Sequence, residues 1–146
     1  MSTALPAALE GLSDARAEQP EAPGKWSVRH VVQHLADSEL VTGVRLRLVL
    51  SHDRPPLTPY DQDVWAERLR YREAKLSDAR EQFMALRRAN LRHWERLSSA
   101  DLERVGLHGE RGEESLDRMR RLVAGHDLLH LRQVARIRRT VESAPR

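Results

Sequence analysis

Two histidines near the end of the chain have the residue type and spacing of a metal-binding pair. They are His126 and His130, within the segment GHDLLH. Residues four positions apart stack on one face of an α-helix, about one turn from each other. Two imidazole rings at this spacing can therefore reach one metal ion, which makes the pair a candidate half of a metal site.

The side of the predicted helix that carries this pair is otherwise apolar. It includes Leu116, Met119, Leu122, Val123, Val134 and Ile137, whereas the arginines at 118, 121, 132, 136 and 139 occupy another face. Both rings should therefore point into the core, where an unpaired polar group costs about 1–3 kcal/mol. A metal ion would satisfy both rings, but two core histidines with separate hydrogen bonds would do so equally well. The residue pattern leaves these two interpretations open.

Several other kinds of site are excluded by missing residues. A zincin helix has a glutamate general base directly after its first histidine, whereas residue 127 is an aspartate. A di-iron bundle needs a Glu-x-x-His motif on each of two helices, and the chain has none. The absence of cysteine excludes disulfides, zinc ribbons, cysteine-ligated clusters and cysteine nucleophiles.

A third metal ligand should come from another helix. His30 and His34 are themselves four residues apart on an early helix, and His93 lies on a later one; His52 and His108 lie in predicted loops. His34 lies deeper in its helix than His30, which is in the first turn and more exposed. Spacing alone favours His34 only slightly over the other candidates.

A few polar residues could assist such a site, although each also has an ordinary structural interpretation. Asp127 lies about 100° around the helix from His126, so we expect a salt bridge at the surface. Glu39 and Gln133 could orient ligands or simply make polar contacts, and for Arg45 we favour a surface salt bridge over contact with an anionic substrate. The residues that could line a pocket mouth or cap a helix are Tyr60, Asp61 and Trp65.

The elements that must position these residues are helices. Helical spacing predicts segments from Ala4 to about Ala17, from Ser27 to about Ser51, from Asp63 to about Tyr71, from Ser77 to about Leu97 and from Ser115 to about Val141, with a short turn at Ser99. No run alternates apolar and polar residues over strand length, and no hairpin signal is present. Four main helices with short connections predict a bundle.

Length and composition narrow the class of protein further. With 146 residues, 40% hydrophobic and 32% charged, the chain fits one globular domain over residues 1–146. The net charge is only +3, basic and acidic residues are interspersed, and aromatic residues are 4%, so we expect no nucleic-acid binding. No apolar run is long enough for a membrane span and no signal peptide is visible, so we expect a cytoplasmic protein.

Four segments together resemble the DinB-like superfamily, which includes the YfiT-type proteins described as metal-dependent hydrolases. They are GKWSVRHVVQHLADSE at 24–39, PPLTPYDQDVWAERLRY at 55–71, FMALRRANL at 83–91 and GHDLLHLRQVARI at 125–137. The resemblance implies an all-α four-helix bundle with a short extra helix in a long loop. It also implies a divalent metal held by three histidines, which match His34, His126 and His130.

The same resemblance implies a class of chemistry. Members include thiol-dependent S-transferases that use thiols such as bacillithiol or mycothiol, and homodimers are common among them. Three neutral imidazoles leave a divalent ion with open positions and its full charge, and such a centre activates water or a thiol. We therefore expect a metal-dependent S-transferase or hydrolase acting on a small molecule, with zinc or nickel ahead of iron or manganese. The alternative is a non-catalytic, stress-related metal-binding bundle.

Overall fold

Residues 3–143 are described by a computed structural model, which contains seven helices and a small three-stranded sheet. The helices are α1 (Ala4–Leu9), α2 (Asp14–Glu18), α3 (Val28–Ser51), α4 (Gln62–Arg68), α5 (Leu76–Trp94), α6 (Ser99–Glu103) and α7 (Leu116–Ser143). The strands are β1 (Pro56–Leu57), β2 (Val105–His108) and β3 (Gly112–Ser115). A single 3₁₀ turn, Tyr71–Glu73, precedes α5.

The two helices that carry the candidate ligands begin where their capping residues predict. The Ser27 hydroxyl accepts a hydrogen bond from the backbone N–H of His30 at the start of α3. The Ser115 hydroxyl accepts one from the backbone N–H of Arg118 at the start of α7. Serine is among the preferred N-cap residues because its hydroxyl satisfies a backbone donor that the helix leaves free. Both predicted helix starts are confirmed.

Helix α3 lies at the centre and packs against α5 and α7. Its two ends join two apolar clusters of the core: Val31, Phe83 and Ile137 belong to the first, and Leu46, Leu57 and Leu116 to the second. Between these clusters, residues 34–43 of α3 bury several polar side chains, namely His34, Asp37, Glu39 and Thr42. The fold therefore places a polar region in the middle of its central helix.

The N-terminal segment is not the single helix that we predicted. The chain leaves the helical conformation at Glu10, with a ψ of 130°, and Gly11 completes a tight turn with a φ of +72°, which an L-residue with a side chain seldom adopts. The chain then restarts as α2, whose N-cap Ser13 accepts a hydrogen bond from the N–H of Arg16. Helix α1 packs on α7, and α2 packs on both α3 and α7. Two short helices thus occupy the place of one longer one.

Other helix boundaries also shift from those predicted. Helix α5 starts at Leu76, with Lys75 as its N-cap instead of Ser77, and ends at Trp94. The predicted turn at Ser99 is a short helix, because Ser98 and Asp101 form a reciprocal capping box.

The three-stranded sheet was not predicted. Strand β1 pairs in parallel with β2, and β2 pairs with β3 as an antiparallel hairpin. The strands are too short for an alternating pattern to show, and their glycines and prolines are typical of loops. At Gly106 a Cβ would lie 2.7 Å from the side chain of Leu57, so only glycine lets the strands approach this closely. The sheet joins the segment after α3 to the start of α7.

Within residues 3–143, each helix is either too short or too polar to span a lipid bilayer.

Candidate metal centre

Three histidines from two helices converge at the interface between α3 and α7. His34 comes from α3, and His126 and His130 come from successive turns of α7. Each offers one ring nitrogen, and these three atoms lie within 4.8 Å of one another. The Nε2 atoms of His34 and His126 are 2.9 Å apart. The structure therefore brings together the three residues that the resemblance implies as metal ligands.

Burial keeps these rings in the uncharged form that binds metals. Removal from water, followed by the influence of the other two rings, lowers the pKa of His34 to about 3. Burial and then His130 lower the pKa of His126 to about 4, and burial also lowers the pKa of His130. All three imidazoles are neutral at pH 7, and neutral imidazole is the ligand form.

One of the three rings, His130, is oriented by a neighbouring side chain. Nδ1 of His130 lies 2.7 Å from Oε1 of Gln133, which can only accept a hydrogen bond. This contact places the ring proton on Nδ1 and leaves the lone pair of Nε2 free, a tautomer that metal-binding histidines commonly have. Nδ1 of His34 is buried and has no hydrogen-bond partner within the described part of the chain. The Trp26 ring packs edge-on against His34, with ring centroids 5.2 Å apart.

The donor set fits a divalent ion. Zn–N bonds of about 2.0–2.1 Å in a tetrahedral site place ligand nitrogens about 3.3 Å apart. The observed 2.9 Å between His34 and His126 is within a few tenths of an ångström of that value. The three nitrogens carry no charge, so a bound divalent ion would keep its full charge.

A pocket of about 590 Å³ adjoins the cluster. His34 and His126 form part of its wall, together with Tyr60 from the loop before α4 and Glu114 from β3. The α3 side chains along the pocket are Ser38, Thr42 and Arg45, and apolar α7 side chains such as Met119 and Val123 face them. A molecule in this pocket would touch the histidine cluster directly.

A buried ion network lies beside the cluster and links three helices. Arg87 of α5 donates to both carboxylate oxygens of Asp127 on α7, at 2.6 and 3.0 Å, and to Glu39 on α3 at 2.8 Å. Asn90 donates to Glu39 as well, at 2.8 Å. Because Asp127 directly follows His126, the network holds the first turn of the histidine pair against α3 and α5.

This network corrects one prediction from the sequence. Asp127 makes a salt bridge, but it is 7% exposed and lies in the interior instead of at the surface. Helical geometry alone could not show this, because the aspartate is buried by an arginine from another helix. Arg87 itself was missed, although its position between Phe83 and Asn90 on the inner stripe of α5 was a usable signal.

The other histidines lie outside the cluster. Nδ1 of His30 contacts the Ser27 hydroxyl at 2.8 Å, and His52 contacts the Ser51 hydroxyl at 2.8 Å. His108 is buried in β2, and His93 is partly buried on α5. His34 is therefore the histidine that completes the α7 pair among residues 3–143.

The remaining candidates divide between the pocket and the surface. Tyr60 lines the pocket and packs against Trp65, with ring centroids 4.5 Å apart, whereas Asp61 caps α4. Arg45 lines the pocket too, where we predicted a surface salt bridge. Leu122, predicted to share the interior stripe of α7, is 44% exposed.

Known proteins share both the sequence pattern and the fold. The chain is 40% identical over 63 residues to "Putative metal-dependent hydrolase YfiT" of Bacillus subtilis, which is 43% of this chain and 35% of that protein. It is 34% identical over 118 residues to "Putative metal-dependent hydrolase OB0782" of Oceanobacillus iheyensis, which is 76% of this chain and 64% of that protein. It is 30% identical over 138 residues to "Putative metal-dependent hydrolase BcerKBAB4_2443" of Bacillus mycoides. That match covers 92% of this chain and 77% of that protein.

A solved structure of one of these relatives has the same fold as this chain. The solved structure of YfiT from Bacillus subtilis, described as "a probable metal-dependent hydrolase with an unusual four-helix bundle topology", superposes with a TM-score of 0.88 at 25% identity. The superposition covers 98% of this chain and 82% of that one. The predicted four-helix bundle is thereby confirmed, with α1 and α2 in the place of one helix beside α3, α5 and α7. The DinB superfamily pattern matches residues 2–134, and the chain belongs to the DinB superfamily.

Proposed function

We propose that His34, His126 and His130 hold one divalent metal ion, and that this centre activates a nucleophile for attack on an electrophilic small molecule. The nucleophile is water or a low-molecular-weight thiol, which gives a hydrolase or an S-transferase. The observation that supports this most strongly is the convergence of three neutral imidazole nitrogens within 4.8 Å on the wall of a pocket. The relatives described as metal-dependent hydrolases support the same class of protein.

The ligand set narrows the choice of metal only partly. Imidazole suits zinc, nickel, copper and iron, and divalent nickel and zinc bind nitrogen ligands more tightly than iron or manganese. We therefore place zinc or nickel ahead of iron or manganese.

Each residue of the site has a physical role in this proposal. His34, His126 and His130 would hold the divalent ion, which would make a bound water or thiol nucleophilic near neutral pH. Burial keeps the histidines unprotonated, and Gln133 fixes the tautomer of His130. The apolar wall of α7 displaces water from a bound substrate. Burial raises the pKa of Tyr60, so its hydroxyl stays protonated and can donate a hydrogen bond inside the pocket.

The thiol and the water reaction differ in what must enter the pocket. The chain has no cysteine, so any thiol nucleophile comes from a second small molecule. The alternative, a non-catalytic metal-binding bundle, has a specific observation against it. A structural metal site is closed by protein ligands, whereas this cluster has three ligands and borders a pocket.

We also propose a homodimer, on the resemblance alone. Sedimentation equilibrium at micromolar concentration should give twice the chain mass of 16.8 kDa, and a clean monomer would contradict this part of the proposal.

The functional proposal is tested by an activity screen on metal-loaded protein. One arm offers nitrophenyl esters and anilides in water; the other offers a small thiol together with an alkylating electrophile. Turnover in either arm should disappear in His126→Ala and on chelation, and it should persist in His93→Ala, which removes a histidine outside the cluster. Turnover that survives in His126→Ala would contradict the proposal. Metal-loaded protein that is inactive in both arms would favour the non-catalytic bundle.

A further inference from the structure

Among residues 3–143, one arginine in the pocket wall has no carboxylate at salt-bridge distance. Arg45, near the end of α3, is partly buried and lines the pocket. Its Nη2 donates to the backbone carbonyl of Thr58 at 2.6 Å. Its Nε is buried and has no hydrogen-bond partner among residues 3–143, and no carboxylate of those residues lies within 4.0 Å of the guanidinium. A buried donor without a partner is rare in folded proteins and calls for an explanation.

The neighbouring charges do not neutralise this arginine. Arg111, also in the pocket wall, forms an ion pair with the buried Glu114, with 2.7 Å between Nη2 and Oε2. Arg121, at the rim, pairs with Asp117 on its own helix. Burial and then the positive charge of Arg111 lower the pKa of Arg45, although Glu114 and Glu110 offset this in part.

Within residues 3–143, two other buried side-chain nitrogens lack a hydrogen-bond partner, but their surroundings differ from those of Arg45. Arg29 also has a buried Nε without a partner, but its Nη2 lies 3.9 Å from Asp14 and 3.7 Å from Glu18. Nδ1 of His34 belongs to the histidine cluster. Of these three residues in the described part of the chain, Arg45 is thus the one that has a free donor, a charge without a carboxylate partner and a position in the pocket wall.

We propose that the pocket binds a small molecule with an oxyanionic group, a carboxylate or a phosphoryl group, and that this group pairs with Arg45. A guanidinium presents parallel N–H donors that match the oxygens of both groups. If the proposed metal function holds, Arg45 sets the substrate class, since Arg45 and the histidine cluster line the same pocket. Arg45 follows His34 by about three helical turns, roughly 16 Å along α3, and its side chain leans back toward the N-terminus. The substrate would then carry its anionic group on the order of 10 Å from the reacting bond.

The test uses metal-free protein, so that no anion can bind through a metal ion. Titration calorimetry with glutarate and with inorganic phosphate measures the dissociation constants, and neutral glutaramide serves as the uncharged comparison. At least one of the two anions should bind to the wild type, and glutaramide should not. The anion that binds more tightly identifies the group. In Arg45→Met, which keeps much of the apolar stem, binding should weaken by at least about tenfold.

The matched control is Arg118→Gln, which removes the same charge from an exposed position outside the pocket and should leave binding unchanged. If Arg45→Met does not fold by circular dichroism, Arg45→Lys replaces it; the lysine keeps the charge but loses the paired donors, so binding should still weaken severalfold. The proposal is overturned if neither anion binds to the wild type, or if the folded Arg45 variant binds both anions as the wild type does. Metal content of the same variants is measured separately, so failure of the metal site and failure of the anion site are distinguishable.

Discussion

Nε2 of His34 and Nε2 of His126 lie 2.9 Å apart across the interface between α3 and α7. Two neutral rings can approach this closely only if one donates a proton to the other or if both direct lone pairs at a cation. The contact belongs to the packing of the two longest helices, so the candidate site is part of what holds them together. Changes in the protonation or ligation of these rings should therefore alter the stability of the fold.

The first prediction concerns the pH dependence of stability without metal. The pKa of His34 is about 3 and that of His126 about 4 in the folded chain, whereas an unfolded histidine has a pKa near ~6.5. Below pH ~6.5 the unfolded chain binds protons that the folded chain does not. The contribution of these two rings to the free energy of unfolding should thus be complete above that pH. It should decrease toward pH 4, by at most about 1.4 kcal/mol per pH unit for each histidine.

Urea denaturation of chelator-treated protein between pH 7.5 and 4.5 measures this dependence. His34→Gln should have a shallower slope, because one depressed group is gone, whereas His52→Gln, at an exposed position outside the cluster, should keep the wild-type slope. Equal slopes in wild type and His34→Gln would contradict the account of the buried rings.

The second prediction concerns the buried ion network. Asp127→Ala removes two hydrogen bonds from Arg87, which stays buried but keeps Glu39 as its partner, so the free energy of unfolding should drop by about 2–3 kcal/mol. Asp117→Ala is the matched control on the same helix. Asp117 pairs with Arg120 and Arg121, both exposed, and its loss should cost much less than the loss of Asp127, because water screens exposed ion pairs. Chemical denaturation that finds equal losses for the two variants would show that the network adds no special stability.

The third prediction concerns the orientation of a ligand. Gln133→Ala removes the acceptor for Nδ1 of His130, which frees the ring to adopt the wrong tautomer. Metal affinity, measured by competition with a chromophoric chelator, should weaken about 10–100-fold. Gln82→Ala, in a polar cluster with Gln33 and Asp37, is the control and should bind metal as the wild type does. Unchanged affinity in Gln133→Ala would mean that the contact does not orient the ligand.

The fourth prediction concerns the contact between α3 and α5. A Cβ at Gly43 would lie 2.5 Å from Oδ1 and 2.8 Å from Nδ2 of Asn90, which is held by Glu39 and cannot easily move. Gly43→Ala should therefore destabilise the fold by about 1–3 kcal/mol. A Cβ at Gly125 in α7 meets nothing within 4 Å, so Gly125→Ala should be neutral or stabilising by up to about 1 kcal/mol. Thermal denaturation that ranks the two variants in the opposite order would contradict this packing.

The parts of the structure that depend on local signals were predictable from the sequence. Ser27 and Ser115 cap α3 and α7 because a hydroxyl at that point satisfies free backbone donors, whatever the rest of the chain does. The pairing of His126 with His130 follows from helical geometry in the same way. His34 could not be predicted from helical geometry alone, because its choice over His30 and His93 depended on the resemblance.

The parts that depend on distant partners were not predictable. Asp127 is buried because Arg87, on another helix, reaches it, and no local pattern in GHDLLH indicates this. The strands of the small sheet are two to four residues long, and β1 is held only by pairing with β2, about fifty residues further along the chain. Arg45 lines a pocket whose wall also includes Arg111 and Glu114, from a hairpin more than sixty residues further along the chain.

The central proposal, one divalent metal held by His34, His126 and His130, is tested most directly by metal stoichiometry. Zinc- or nickel-reconstituted, gel-filtered protein without a tag is analysed by inductively coupled plasma mass spectrometry, for the wild type and for His34→Ala, His126→Ala and His93→Ala. We predict one metal ion per chain in the wild type and in His93→Ala, and little or none in the other two variants. Full occupancy in folded His34→Ala or His126→Ala, or no metal in the wild type, would contradict the proposed centre.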